Sequence, residues 1–238
     1  MPGVRLATQS WKPAEGDGTL PGVSFLLPIE FDLAATFLFA LTGVWLASRR
    51  GYDLIGAFML AFVSGVGGGL LRDSIFIMQV PLVMQDVRYL IAVTLAVAVG
   101  TATHRLAGRF ERLLAYVDAL ALGVYGVVGA NKALIAGIPP LAAILVGLCN
   151  AVGGGLLRDV LVREEPLMFK PGQLYSLAAL GGCILFVVLS NTFGIDTNYA
   201  AWISIGVTLL LRLLAIRFNW TTTSLREWWR RPGDDRST

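Results

Sequence analysis

The residues of this chain that could do chemistry are concentrated in one octapeptide that occurs twice. The sequence VGGGLLRD fills positions 66–73 and again positions 152–159. Each copy joins three glycines, which are poor helix formers, to an Arg-Asp pair, which is costly to bury in an apolar chain. Carbonyl oxygens freed at a glycine break suit a partly dehydrated cation, and nearby charges can steer it. The pattern therefore indicates ion binding or passage.

No other set of residues has the spacing of a catalytic or metal site. Cys149, Cys183 and the single histidine, His104, are too far apart in sequence for a zinc motif, and no Ser-His-Asp set, GxxxxGK[ST] loop or HExxH motif occurs. The basic residues are spread over loop ends and form no single patch for nucleic acid. We therefore expect no enzymatic activity, no cofactor, no structural metal and no nucleic-acid partner.

The composition indicates that most of the chain lies in lipid. Its 238 residues are 55% hydrophobic and 15% charged, with a mean hydropathy of +0.69. These values predict an all-α integral membrane protein. We predict seven transmembrane helices, at about residues 28–48, 54–71, 88–103, 113–131, 138–157, 173–191 and 199–217.

The distribution of basic residues predicts the orientation of these helices. With seven alternating spans, the basic residues concentrate on the side that holds the C-terminus, as the positive-inside rule requires of the cytoplasm. The tail 219–238 is therefore predicted to be cytoplasmic, and the N-terminus to lie outside. Residues 1–27 lack the apolar core of a signal peptide and are predicted to form a mobile arm. The last span ends with Arg212, Arg217 and Trp220, which resemble an interfacial anchor.

The two octapeptides belong to a longer internal repeat. At an offset of 86 positions, Asp32 aligns with Asp118, Gly43 with Gly129, and Tyr89 with Tyr175. The copies are predicted as three-helix units at 28–103 and 113–191, with the seventh helix, 199–218, outside the repeat. Because each unit has an odd number of spans, the second must enter the membrane from the opposite side. The sequence thus predicts an inverted 3+3 repeat plus one helix.

The glycines end the second span of each unit, and two interpretations of them remain open. Glycine breaks would kink or unwind both helices, and Ser64 and its aligned residue Asn150 would bond to the freed backbone. Alternatively, the glycines allow close helix packing, as small-xxx-small patterns do. Packing and conduction are compatible with each other. The predicted break residues are Gly67, Gly68, Gly69, Gly153, Gly154 and Gly155.

The charged residues inside or beside the spans are candidates for a pore mouth or for gating. Arg72 lies on the outer side, so pairing with Asp73 or a pore-mouth role is expected to offset its cost. Arg158, next to Asp159, lies on the cytoplasmic side, where its side chain can snorkel to the headgroups. Lys132 either faces a cavity beside a cation path or snorkels outward. Asp32 and Asp118 either pair with basic residues across helices or line a vestibule.

The duplicated GGGLLRD motif, the 3+3+1 helix count and the lysine followed by Ala-Leu in the fourth span resemble the prokaryotic members of the trimeric intracellular cation (TRIC) channels. The resemblance covers about residues 28–218. It implies a homotrimer in a bacterial inner membrane, surrounded by lipid. It further implies a potassium-permeable pore in each protomer, lined by the glycine-kinked second and fifth helices. The glycine triplets, Arg72, Arg158 and Lys132 take the matching positions.

The sequence therefore leaves two possible functions open. The first is a passive channel for monovalent cations, with K⁺ present only transiently in the pore. The second is a secondary transporter for a small amino acid such as glycine, held by broken helices. Proton coupling has no evident carboxylate at mid-membrane, because Asp32 and Asp118 lie near span ends. This absence favours the channel.

Overall fold

The described part of the chain is entirely helical. The computed structural model describes residues 27–103, 111–170 and 174–220, and no strand occurs in these ranges. The long helices are α1 (Ile29–Arg49), α2 (Leu54–Leu71), α3 (Val87–Ala102), α4 (Glu111–Ile135), α5 (Pro140–Leu161), α6 (Tyr175–Val187) and α7 (Thr197–Phe218). A four-residue helix, Leu82–Gln85, lies between α2 and α3. The predicted arm and tail lie almost wholly outside the described residues. Leu27, the last residue of the arm, is buried in the main core cluster.

Local sequence explains where several helices begin and end. The Asp53 side chain accepts a hydrogen bond from the Gly56 N–H and caps α2, and Asp196 caps α7 in the same way. Asp86 caps α3, and its hydrogen bonds with the Arg88 side chain lower the pKa of the Asp86 carboxyl. Gly51 and Gly137 take positive φ angles just after α1 and α4, where a left-handed residue ends a helix.

Within the described ranges, six helices are long and apolar enough to cross a membrane, which makes this an integral membrane protein. Two of them are extended by π-helical turns, α2 by Arg72–Phe76 and α6 by Val188–Thr192. The predicted third span forms the 16-residue helix α3. At 1.5 Å per residue it covers about 24 Å, less than the ~30 Å of a hydrocarbon core. The length criterion therefore supports six spans, one fewer than the seven predicted.

The glycine triplets do not break their helices. The α-helix of α2 runs without interruption through Gly67, Gly68 and Gly69 to Leu71, and α5 runs through the second triplet to Leu161. The N–H of Arg72 donates to the carbonyls of Gly68 and Gly69, so those oxygens are not freed. The predicted unwinding is wrong, because packing against a neighbouring helix offsets the low helix propensity of glycine.

Contacts between helix ends show that α4 runs antiparallel to α1 and that α5 runs parallel to α1. Lys132 near the end of α4 pairs with Asp32 near the start of α1. At the opposite end, Arg50 after α1 pairs with Glu164 after α5 at 2.5 Å. Both α4 and α5 continue past their predicted ends at 131 and 157. The extension is possible because the charged side chains in these last turns are paired inside the protein.

Candidate ion pathway

Helices α2 and α5 cross at the two glycine triplets, and the crossing is nearly symmetric. A Cβ atom built on Gly68 would lie 2.2 Å from the carbonyl oxygen of Asn150, and one built on Gly154 would lie 2.2 Å from that of Ser64. Both pairs are related by the 86-residue offset, as expected for a two-fold axis through the crossing. No side chain fits at either position without moving a backbone. The triplets therefore bring the two repeats into backbone contact.

Hydrogen bonds on either side of the crossing follow the same symmetry. The Ser64 hydroxyl donates to the carbonyl of Phe39 on α1 at 2.8 Å, and the Asn150 amide donates to the carbonyl of Tyr125 on α4 at 2.6 Å. Phe39 and Tyr125 are themselves repeat-related, and their rings stack with centroids 5.4 Å apart. Ser64 and Asn150 thus bond to intact neighbouring helices and not, as predicted, to backbone freed at the glycines.

One cluster of charges surrounds Asp32, and we call Asp32, Arg72, Asp73, Tyr89 and Lys132 the Asp32 cluster. Asp32 is 2% exposed, and its Oδ2 atom receives the Tyr89 hydroxyl at 2.8 Å and the Lys132 ammonium at 2.5 Å. Arg72 is 1% exposed. Its Nε atom lies 2.6 Å from Oδ1 of Asp73, and its Nη2 atom lies 3.5 Å from Oδ2 of Asp32. The predicted pairing of Arg72 with Asp73 is present. Two carboxylates are balanced by two cations.

A repeat-related cluster surrounds Asp118, and we call Asp118, Arg158, Asp159, Tyr175 and Arg212 the Asp118 cluster. Arg158 binds Asp159 at 2.8 Å and lies 3.7 Å from Asp118. The guanidinium of Arg212 lies over the Tyr175 ring, 4.9 Å from its centroid. Within the described residues, neither oxygen of Asp118 accepts a hydrogen bond of normal geometry. Burial and charge, more than hydrogen bonding, define this cluster.

Two expectations about basic residues are corrected at this cluster. Arg158 is only 5% exposed and does not snorkel to the headgroups, because Asp118, Asp159 and the Thr42 hydroxyl, 2.8 Å away, hold it inside the bundle. Arg212 is 2% exposed and is not an interfacial anchor. Its position two turns inside α7 brings it to the buried face of that helix. Arg217, in the last turn of α7, is exposed as expected.

The two clusters lie at different depths on either side of the crossing. Asp118 and Lys132 are both on α4 and are fourteen positions apart, which corresponds to about 21 Å along a helix. Arg72 connects the first cluster to the crossing, since its Nη1 atom lies 3.5 Å from the side-chain oxygen of Asn150. The Tyr125 hydroxyl donates to the carbonyl of Gly65 close by. The polar groups thus extend from one cluster into the crossing.

Two sizeable cavities in the described residues lie next to the Asp32 cluster, and a third, of about 240 Å³, lies elsewhere, between Val44, Tyr52 and Thr101. The two next to the cluster have volumes of about 400 Å³ and about 250 Å³, and Lys132 and Leu82 line both. A much smaller cavity, of about 10 Å³, lies deeper, against Gly69, Arg72 and Tyr125. It has room for roughly one water molecule. The cavities therefore become smaller from the Asp32 cluster towards the crossing of α2 and α5.

Sequence reasoning found most of the charged members of this arrangement and missed several partners. Tyr89 and Tyr175 align at the repeat offset, and this signal could have placed each tyrosine beside the aspartate of its own copy. Tyr125 carried no comparable signal, because its repeat-related residue is Phe39 and the polar function is not duplicated. Arg212 lies outside the repeat, so the offset could not reveal it.

Comparison with known proteins shows the family. A family model described as "Glycine transporter" matches residues 30–105 and 115–191. A UPF0126 membrane protein of Deinococcus radiodurans is 34% identical, over 84% of this chain and 89% of its own length. The inner membrane protein YadS of Escherichia coli K12 is 33% identical, over 82% of this chain and 94% of its own length.

Solved structures with the same fold are TRIC channels. A TRIC cation channel studied for its conductance superimposes with a TM-score of 0.74 at 28% identity, over 82% of this chain and 95% of that one. The TRIC orthologue from Rhodobacter sphaeroides superimposes with a TM-score of 0.72 at 32% identity, over 80% of this chain and 97% of that one. A further prokaryotic TRIC channel, at 22% identity and a TM-score of 0.70, shares the fold. The chain therefore belongs to the family of TRIC trimeric cation channels, as a prokaryotic member related to the UPF0126 membrane proteins.

Proposed function

We propose that this protein is a passive channel for monovalent cations, with potassium as the physiological ion. The observation that carries the proposal is the pair of buried charge clusters on either side of the α2–α5 crossing. Ionisable groups inside a membrane protein are costly, and they are found at ion and substrate pathways. The similarity to TRIC cation channels supports the same activity. The path runs inside one protomer, along α2 and α5.

The balance of charge within the clusters favours monovalent over divalent ions. In the Asp32 cluster both carboxylates are already paired with Arg72 or Lys132, so little net negative charge is left to hold a divalent cation. Conduction requires a site that binds an ion weakly enough to release it. A neutralised carboxylate meets this requirement for a weakly hydrated ion such as K⁺.

The glycine crossing is the constriction of the proposed path. At Gly68 and Gly154 the two helices are too close for any additional atom, so conduction requires α2 and α5 to separate or slide. Helices that meet through glycine Cα atoms can slide without moving large side chains. The small cavity beside Gly69 gives an ion a first position from which to enter.

The assembly and orientation form part of the proposal. We propose a homotrimer in a bacterial inner membrane, as the trimeric relatives suggest, with the N-terminus outside and seven spans that include the short α3. Exposed apolar side chains such as Leu141 on α5 and Trp202 on α7 would then contact lipid or a neighbouring protomer. Covalent chemistry is not needed, because the electrochemical gradient drives the ion.

Single-channel recording from purified protein in planar bilayers tests the proposal. We expect unitary currents in potassium chloride that persist with sodium and vanish when a bulky organic cation is the only cation present. Saturable glycine uptake into proteoliposomes, without such currents, would instead support the transporter that the family description names. Orientation is tested separately by labelling single cysteines placed at the exposed Arg88 and Arg50. Labelling of both from the same side would contradict the alternating topology.

A further inference from the structure

The Arg-Asp pair at the end of the first octapeptide holds a segment of the loop that follows α2. The Nε atom of Arg72 donates to Oδ1 of Asp73 at 2.6 Å, which fixes the orientation of the carboxylate. The other oxygen, Oδ2, accepts the backbone N–H of Leu82 at 3.1 Å. Leu82 begins the four-residue helix Leu82–Gln85, which we call the loop helix, so its N–H has no partner within that helix. The aspartate thus attaches the loop helix to the end of α2.

The second octapeptide makes the same set of contacts. The Nε atom of Arg158 donates to Oδ1 of Asp159 at 2.8 Å, and Oδ2 of this carboxylate accepts the backbone N–H of Leu167 at 3.4 Å. Both leucines follow a proline, in the sequences VPL at 80–82 and EPL at 165–167. The segment between aspartate and leucine is one residue shorter in the second copy, yet the hydrogen bond is kept. The contact is therefore a repeated feature of the two halves.

Leu82 lies where the cavities next to the Asp32 cluster meet. Among the described residues, it alone lines the cavity of about 400 Å³, the cavity of about 250 Å³ and the deep cavity of about 10 Å³. It shares the boundary between the deep cavity and the larger two with Asp32 and Asp73, and the boundary between the larger two with Lys132. Its side chain therefore separates all three spaces.

We propose that the Arg-Asp pair of each octapeptide is a latch that holds a leucine gate closed. At the Asp32 cluster, Asp73 is the latch and Leu82 is the gate. At the Asp118 cluster, Asp159 holds Leu167, which lines the cavity of about 120 Å³ together with Tyr175. An apolar side chain at a narrow point excludes water and so blocks an ion. Release of the leucine N–H frees the gate, and this inference rests on the proposed channel function.

Chemical accessibility of a cysteine in the deep cavity tests the first gate without any recording of current. Gly69→Cys is made in the full-length protein after Cys149 and Cys183 are replaced by alanine. Gly69 lines the deep cavity, and the nearest atom to a Cβ built there is Nη2 of Arg72, 3.6 Å away, so cysteine fits. In detergent, a small cationic thiol reagent should modify this cysteine about tenfold faster in Leu82→Ala, which lacks the gate side chain.

Two further variants separate the gate from the latch. Leu82→Pro removes the N–H that Asp73 accepts, and proline is favoured at the first position of a helix. Pro81 has the extended conformation that a residue before proline requires, so this variant should fold and should also be modified about tenfold faster. Met84→Ala, at an exposed position of the loop helix that lines none of the three cavities, is the matched control and should not change the rate.

Each of these rates can contradict the inference. An unchanged rate in Leu82→Ala would overturn the gate, and an unchanged rate in Leu82→Pro would overturn the latch. An equal increase in Met84→Ala would show that any change in the loop helix exposes the cavity, and would overturn both. The unfolding temperature of each variant confirms that the rates compare folded proteins.

The repeat provides a reciprocal test at the Asp118 cluster. Gly155 aligns with Gly69, and a Cβ built there also has no atom within 3.4 Å. Gly155→Cys should be modified faster in Leu167→Ala but not in Leu82→Ala, and Gly69→Cys should show the opposite dependence. Loss of this specificity would overturn the assignment of one gate to each end.

Bilayer recording of the same variants distinguishes this inference from the proposed channel. Currents in a protein whose modification rates do not respond to Leu82→Ala and Leu167→Ala would refute the gates and leave the channel standing. Faster modification in a protein that passes no current would support the latches and contradict the channel. If both proposals are correct, Leu82→Ala raises the fraction of time that the channel is open.

Discussion

The Asp32 cluster and the Asp118 cluster are built from the same repeated residues and differ in what completes them. Aspartate, arginine, a second aspartate and tyrosine recur at an offset of 86 in both. The first cluster is completed by Lys132 from α4, which binds Asp32 directly and lines two cavities. The second is completed by Arg212 from α7, over Tyr175. The repeat thus provides the scaffold, and the residues outside it make the two ends chemically different.

The two ends also differ at the positions of α1 and α4 that correspond in the repeat. The position that matches Lys132 in the first copy is Leu46, an apolar residue in the core. The Asp118 cluster therefore receives no lysine from α1. Its aspartate stays buried without hydrogen bonds of normal geometry, whereas Asp32 accepts several. A cation that approaches the Asp32 cluster meets a cavity and a displaceable ammonium. The cavity that Tyr175 of the Asp118 cluster lines is smaller, at about 120 Å³.

The largest expected effect comes from the one place where the two halves are equivalent. Gly68→Ala and Gly154→Ala each place a methyl group 2.2 Å from a backbone oxygen, so each should lower the free energy of unfolding by about 3 kcal/mol and stop conduction. Unfolding in increasing concentrations of SDS measures the first effect and bilayer recording the second. Because the two sites are repeat-related, the two variants should be equally damaged.

Two other glycines provide matched controls for this pair. No atom lies within 4 Å of a Cβ built on Gly181 or on Gly206, and both are within helices. Gly181→Ala and Gly206→Ala should therefore be neutral or more stable by up to about 1 kcal/mol, through helix propensity alone. If Gly68→Ala were tolerated and Gly154→Ala were not, the crossing would not be symmetric.

The next largest effect should separate the two clusters. Arg158→Met should cost about 3 kcal/mol of unfolding free energy, because the buried Asp159 loses its ion pair and Asp118 loses one of its two nearby arginines. Arg72→Met should cost about 1 kcal/mol less, since Asp32 keeps Lys132 and Tyr89. SDS unfolding of both variants gives the comparison. Equal losses would show that Lys132 does not stabilise Asp32.

A second substitution identifies the source of the Arg158 effect. Combining Arg158→Met with Asp118→Asn removes one of the two carboxylates that Arg158 balances, and should recover part of the lost stability. The corresponding double variant at the other cluster, Arg72→Met with Asp32→Asn, should recover less, because that asparagine leaves Lys132 without its carboxylate. If the double variant at the Asp32 cluster recovered more stability than the one at the Asp118 cluster, Lys132 would not depend on Asp32 as its partner.

The sequence was sufficient to predict the helical membrane fold and several of the residues that meet in it. The offset of 86 positions aligned Asp32 with Asp118 and the first glycine triplet with the second. In the structure, the repeat-related glycines Gly68 and Gly154 make equivalent contacts. Helix continuity at the triplets could not be predicted in the same way. Glycine is compatible with a broken helix and with a closely packed one, and only the position of the neighbouring helix decides between them.

Burial of single side chains was harder to predict than the pairing of helices. Arg158 and Arg212 both occur near the ends of apolar runs, where a snorkelling arginine and a buried, paired arginine have the same local sequence. The partners that keep them inside, Thr42 for Arg158 and Tyr175 for Arg212, are distant in sequence. Among the described residues, neither polar atom of the buried Asn131 amide has a hydrogen-bond partner, and no pattern in the sequence predicts this.

The smallest expected change concerns only the Asp32 end and tests whether that end is a pore mouth. Lys132→Met leaves Asp32 paired with Tyr89 and Arg72 and adds one unit of negative charge beside the two cavities. The current of cations that enter from this side should rise about twofold at low ionic strength, and the difference should disappear in concentrated salt, where exposed charges are screened. Arg88→Gln removes the same charge from an exposed position near this end and is the matched control. If Arg88→Gln had an equal effect, or if Lys132→Met raised the current equally from both sides, the charge of the Asp32 cluster would not act at the entrance.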